Sequence, residues 1–189
     1  MMRCPITTAL SAPPALLALV HFFIELCLLR RNPQDLPASG ALFGVVLAAA
    51  VLGGLLLSVT AGASLAAGFT QTLLDLLLML GVLHLALKAL NKQTRYLQTA
   101  TSLVGADVVI GLVALLPVSL AAPAAGAEPG PDALIAGLLF LALVGWSVLV
   151  VGHILRHAFD LSLAQGVVIA IAFDVFSFVV ISAVTQGPA

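Results

Sequence analysis

Residues 40–61, GALFGVVLAAAVLGGLLLSVTA, run for 22 positions without a charge. A bilayer's hydrocarbon core is about 30 Å thick, and roughly 20 residues in helix cross it. The run is apolar on most faces, so hydropathy rather than amphipathic periodicity marks it, and only a helix can satisfy its backbone internally in lipid. Four runs of the same kind follow, at about 66–90, 99–121, 133–156 and 161–185. The breaks between them suit turns. Residues 60–64 are small and uncharged, and residues 122–132 are too rich in Pro and Gly to continue a helix.

The whole composition agrees. Of 189 residues, 62% are hydrophobic and 8% charged, with a mean hydropathy of +1.23. A soluble domain carries about 25% charged residues, so a water-soluble globular fold is excluded. Seven Lys and Arg against eight Asp and Glu leave a net charge of −1, which argues against a nucleic-acid partner. Two cysteines, Cys4 and Cys27, make no disulfide framework. The expected fold is all-α: a polytopic membrane helix bundle of five transmembrane helices plus an N-terminal interfacial or re-entrant helix.

Two parts are expected: a cytoplasmic N-terminal segment, 1–39, and a five-helix transmembrane domain, 40–189. The segment's apolar stretch, about 14–30, reaches only about 24 Å as a helix. It ends in Arg30 and Arg31 rather than in a small-residue cleavage site, against a signal peptide. A full span is possible in a thinned membrane. An in-plane or shallowly re-entrant helix fits better, with His21 and Glu25 toward water or protein and Phe22, Phe23 and Ile24 toward lipid.

Basic residues predict the sidedness. Arg30 and Arg31 precede the first span; Lys88, Lys92 and Arg95 sit between the second and third, and Arg156 with His157 between the fourth and fifth. The other two loops carry no Lys or Arg, and the longer contains Glu128 and Asp132. By the positive-inside rule the basic segments are cytoplasmic and the C-terminus is outside. The six basic side chains Arg30, Arg31, Lys88, Lys92, Arg95 and Arg156 form a candidate layer for anionic lipid or a protein partner.

Three acids break the apolar pattern at mid-depth. Counted along their helices, Asp75 lies about 13 Å deep, Asp174 about 16 Å, and Asp107 about 12–21 Å from either face. A carboxylate there costs about 2.5–3.5 kcal/mol and calls for a reason. Gln71 and Thr72 precede Asp75, Ser177 follows Asp174 by three, and Gly105 and Gly111 flank Asp107. These acids, with Gln71, Thr72 and Ser177, are the candidate polar site. One reading is polar glue, each acid bonded to a neighbouring helix. The other is convergence on a proton, cation or small-molecule site. No span holds a mid-depth Lys or Arg to neutralise them.

His84 with Lys88, and His153 with Arg156 and His157, read as helix-end cations; no metal-ligand spacing, and so no metal or cofactor, is indicated. No nucleophile elbow, zincin motif or phosphate loop points to an enzyme. The first span is rich in small residues (Gly40, Gly44, Ala48–Ala50, Gly53, Gly54), suited to close packing within the domain or in a homo-oligomer. Trp146 reads as core and Tyr96 as an interfacial anchor.

Three stretches carry a family likeness. Residues 23–33, FIELCLLRRNP, form a short helix ending in basic residues and a proline. The third span reads LQTATSLVGADVVIGLVALLP over 97–117, and a short basic turn at 153–160 joins the last two spans. With five tightly spaced spans over 40–185, the chain resembles the Yip (Ypt/Rab-interacting) family of five-span membrane proteins, especially its small prokaryotic relatives. The resemblance implies a scaffold of the cytoplasmic (inner) membrane that works through protein or lipid contacts without catalysis. The Asp-Leu-Tyr-Gly-Pro stretch of eukaryotic members is missing, so Rab binding does not carry over. The alternative from the residues themselves is a proton- or cation-linked small transporter using the three aspartates.

Overall fold

Serines and left-handed turns punctuate the apolar runs. A helix leaves its first amide hydrogens and last carbonyls without partners, and in a membrane protein each must be satisfied locally. In the computed structural model, which describes residues 14–121 and 131–186, Ser39 accepts from Leu42 N and Ser64 from Ala67 N. Ser162 and Gln165 form a reciprocal capping box at 3.0 and 3.3 Å. At the far ends, Gly62, Asn91 and Asp160 take positive φ (85°, 57° and 59°). Each turns the next residue's amide back to the carbonyl five residues earlier: Ala63 to Ser58, Lys92 to Leu87, Leu161 to Arg156.

The elements so delimited are α1 (Pro14–Cys27), α2 (Gly40–Thr60), α3 (Leu65–Ala89), α4 (Tyr96–Ala121), α5 (Pro131–Phe159) and α6 (Leu163–Gln186). Single 3₁₀ turns precede α2 at Pro33–Asp35 and α4 at Gln93–Arg95. The described residues contain no strand. Helices α2–α6 are each long and apolar enough to cross a bilayer, and each begins and ends within a turn of its expected bounds. Long side chains such as Leu52, Leu77, Leu116, Leu141 and Phe178 stand exposed on their outer faces. An apolar outer wall of this extent needs lipid rather than water. The protein is embedded in a membrane.

Helix α4 is the hub. It packs against α1, α2, α3 and α5, and α6 closes the bundle against α5 and α3. Of its apolar stretch 39% is buried inside the bundle, against 11–17% for the other four. Small hydroxyl residues make this possible. Thr99, Thr101 and Ser102 are buried and return their hydroxyls to the carbonyls of Arg95, Leu97 and Gln98 at 2.7–2.9 Å, leaving no polar atom facing a neighbour unpaired.

The N-terminal segment is held by carbonyls. Trp146 Nε1 donates to Cys27 O (2.9 Å), His153 Nε2 to Arg31 O (3.0 Å) and Gln98 Nε2 to Leu36 O (2.8 Å). Trp146 is thus a core residue, as its position suggested. Phe23 corrects the sequence reading, which turned it to lipid together with Phe22 and Ile24. Ile24 is exposed, but Phe23 is buried with its ring over Gly105 of α4, and a β-carbon there would collide with it. Cys27, one turn further along α1, meets Ala106 O through its sulfur at 3.9 Å. Residues a turn apart on α1 therefore meet adjacent residues of α4.

The small residues of α2 do less than their number suggests. A β-carbon on Gly54 would meet Thr72 of α3, but Gly40, Gly44 and Gly53 face open space. Two backbones come together elsewhere, between Gly152 of α5 and Gly166 of α6, where a β-carbon on Gly166 would land on the Gly152 carbonyl. Of the expected loop acids, Glu128 and the side chain of Asp132 lie outside the described residues.

These contacts predict that Gly105→Ala destabilises the protein in detergent by about 1–3 kcal/mol, the usual cost of overpacking. Pairing it with Phe23→Leu recovers part of the loss. Thermal unfolding of the purified variants checks this; Gly111→Ala, which meets nothing within 4 Å, serves as the neutral control.

Candidate functional site

The three mid-depth aspartates come from three helices: Asp75 from α3, Asp107 from α4 and Asp174 from α6. Helical rise brings each to a similar level, and the packing of α3, α4, α5 and α6 turns all three toward one cavity of about 190 Å³. The cavity reaches from Phe159 and Ala86, near the basic turns, to Ser147 and Asp75 at mid-bundle. Along α5 that is about 18 Å. Its walls are mostly hydrocarbon, and the carboxylates stand at its deep end.

The acids are not equivalent. Asp75 Oδ1 accepts from the buried Ser177 hydroxyl at 2.7 Å, a bond that ties α3 to α6. Asp107 and Asp174 make no hydrogen bond or ion pair among the described residues, and both line the cavity together with Asp75. The Asp107 side chain is exposed and lines the cavity. Like charges sharing one low-dielectric space repel, and a shared proton or a cation between them relieves this.

Among the candidates, then, Asp75, Asp107, Asp174 and Ser177 come together, although only Asp75 and Ser177 touch. Gln71 and Thr72 do not join them. Gln71 is exposed, and Thr72 packs its side chain against Gly54 of α2. The sequence reading missed the cavity's fourth wall, on α5. Ser147 is a polar residue in mid-span and was the available signal; its hydroxyl is bonded to Val144 O at 2.8 Å. Among the described residues no three His, Cys, Asp or Glu side chains are placed to hold a metal ion.

The basic residues gather at one end of the bundle, but half of them are answered from within. Asp160, at the turn between α5 and α6, takes Lys92 Nζ on one oxygen (2.9 Å) and Arg95 on the other (2.8 Å). Arg95 also donates to His157 O, and Lys92 to Phe159 O, so the two turns are strapped together at the cavity's shallow end. Arg31 pairs with Glu25 at 2.8 Å, and Arg156 Nε donates to His157 Nε2 at 3.2 Å. Arg30 and Lys88 are exposed and have no acid beside them among the described residues. His84 meets Tyr96 edge-on at 5.2 Å between ring centres, so Tyr96 is tied to α3 as well as standing near the helix start.

No protein-family model, curated protein or solved structure matches the chain.

The strap sets a titration. The Arg95 and Lys92 hydrogen bonds hold the Asp160 carboxyl below the ordinary aspartate range. A depressed folded-state value means the ion pairs contribute above the ordinary value and are lost as pH falls through the lowered one. Arg95→Gln is expected to move the Asp160 titration upward toward the ordinary range, read by NMR of a carboxyl-labelled sample. An unmoved midpoint would show that the strap is absent in the membrane protein.

Proposed function

We propose that this integral membrane protein is a small proton- or cation-linked carrier whose working groups are Asp75, Asp107 and Asp174. The observation that carries this reading is that acids from three different helices face one cavity instead of three separate neighbours. Polar glue requires each acid to be bonded to an adjacent helix, and only Asp75 is. An ionisable group in a membrane interior is costly to insert, and one that no neighbouring group pairs suits an ion or proton path. Asp75, held by Ser177, is the fixed member; Asp107 and Asp174 are free to exchange a proton or counter-ion. The basic end is taken as the cytoplasmic face, with the C-terminus outside, and the cytoplasmic (inner) membrane as the location. Neither role asks for catalysis.

The test is flux. In proteoliposomes under an imposed pH gradient and membrane potential, with Na⁺ or K⁺ present, the protein is expected to pass protons or the cation above the rate of empty vesicles. Asp107→Asn should reduce that flux by tenfold or more. Rates that stay the same in Asp75→Asn, Asp107→Asn and Asp174→Asn would remove the acids from any transport role.

A second reading rests on a different place. Arg30 and Lys88, exposed at the basic end and unmatched by acids there, suit anionic headgroups or an acidic partner, as a Yip-like scaffold would need. Under that reading Arg30→Gln with Lys88→Gln weakens sedimentation with phosphatidylglycerol vesicles or co-purification of a partner, while the aspartate variants leave both unchanged.

A further inference from the structure

The cavity's chemistry narrows the ligand further, and this step rests on the carrier reading above. A hard metal ion needs six or more oxygen ligands at about 2.0–2.6 Å, or near-octahedral water. The cavity offers carboxylates at one end only, with no three acids placed around a common point. An anion would face three acids. A neutral apolar molecule would leave the repulsion among the acids unrelieved.

One class satisfies both halves of the lining. A positive charge beside Asp107, in the same cavity as Asp75 and Asp174, relieves their repulsion, while an apolar body lies toward the charged end against Met79, Leu103, Val151 and Phe159. Size limits that body. An apolar cavity of about 150 Å³ takes up one benzene, and this one is about 190 Å³ with the cationic group to hold as well. We infer that the cavity binds a small lipophilic ammonium ion, one positive charge on a hydrocarbon body no larger than a single aromatic ring.

The orientation follows from the lining. The ammonium lies deepest, at mid-bundle, and the hydrocarbon extends toward Phe159. Asp107, unpartnered and open to the cavity, makes the principal ion pair; Asp75 is already half committed to Ser177. Filling the apolar part should therefore block binding without touching the acids. Val151, which lines the cavity on α5 between Ser147 and Phe159, is the residue for that variant.

Benzyltrimethylammonium, measured by calorimetry on the full chain in nanodiscs, is the probe. Saturable binding is expected, weakened at least tenfold by Asp107→Asn and by Val151→Phe, with benzyl alcohol and Na⁺ failing to compete. Tetraphenylphosphonium, with four rings, should bind at least tenfold more weakly. Thermal unfolding of each variant separates lost binding from lost fold, and Asp107→Glu, which keeps the charge, should retain binding. Equal binding of benzyl alcohol, displacement by Na⁺, or indifference to both Asp107→Asn and Val151→Phe would overturn the inference. Proton or Na⁺ flux that depends on the aspartates, without any ammonium binding, would overturn it too while leaving the carrier reading standing. Loss of both flux and binding in the unmodified protein would end both.

Discussion

Hydrocarbon offers a peptide group nothing to bond with, and most of this molecule follows from that. The spanning runs are helices; the starts of α2, α3 and α6 are finished by serine side chains, and the ends of α2, α3 and α5 by left-handed residues that return an amide to a carbonyl. The constraint bears hardest on the stretch after α1, where the chain is not continuously helical. There Trp146, His153 and Gln98 reach out from α5 and α4 to bond the carbonyls of Cys27, Arg31 and Leu36. A segment that would otherwise have to stay in water is thereby built into the bundle.

That docking and the cavity share a helix. On α4, Gly105 receives Phe23 on one side, and two residues on, Asp107 opens to the cavity on another. Thr99, Thr101 and Ser102 keep the same helix free of unpaired hydroxyls where it is most crowded. A hub must touch neighbours all round, so it needs small or internally bonded side chains, and the composition of α4 supplies them. Its single acid then has only the cavity left to face.

Charge is divided by level. At the basic end, acids and bases answer one another: Asp160 holds Lys92 and Arg95, and Glu25 holds Arg31. At mid-bundle, acids stand together with no base at all. The first arrangement needs nothing from outside, whereas the second is balanced only by protons or by a positively charged ligand. This contrast separates a structural strap from a candidate working site more clearly than the number of charges does.

Much of the fold was legible because hydropathy is a property of the chain itself. Runs of about twenty apolar residues had to become helices in lipid, and their bounds came within a turn. The depth of Asp75, Asp107 and Asp174 was equally legible, since rise per residue is constant. Rotation was not. Whether an acid faces lipid, a neighbour or a cavity depends on how each helix is turned about its axis, and runs that are apolar on most faces carry little signal for that. Hence Thr72 proved a packing partner of Gly54 instead of a companion to Asp75, and Phe23 went inward because Gly105, eighty-odd residues away in sequence, leaves it room. The sequence alone determined that this is a membrane helix bundle with three acids at mid-depth. Only tertiary packing decided that they share one space, because contact between faces of different helices is set by side-chain fit and not by hydropathy.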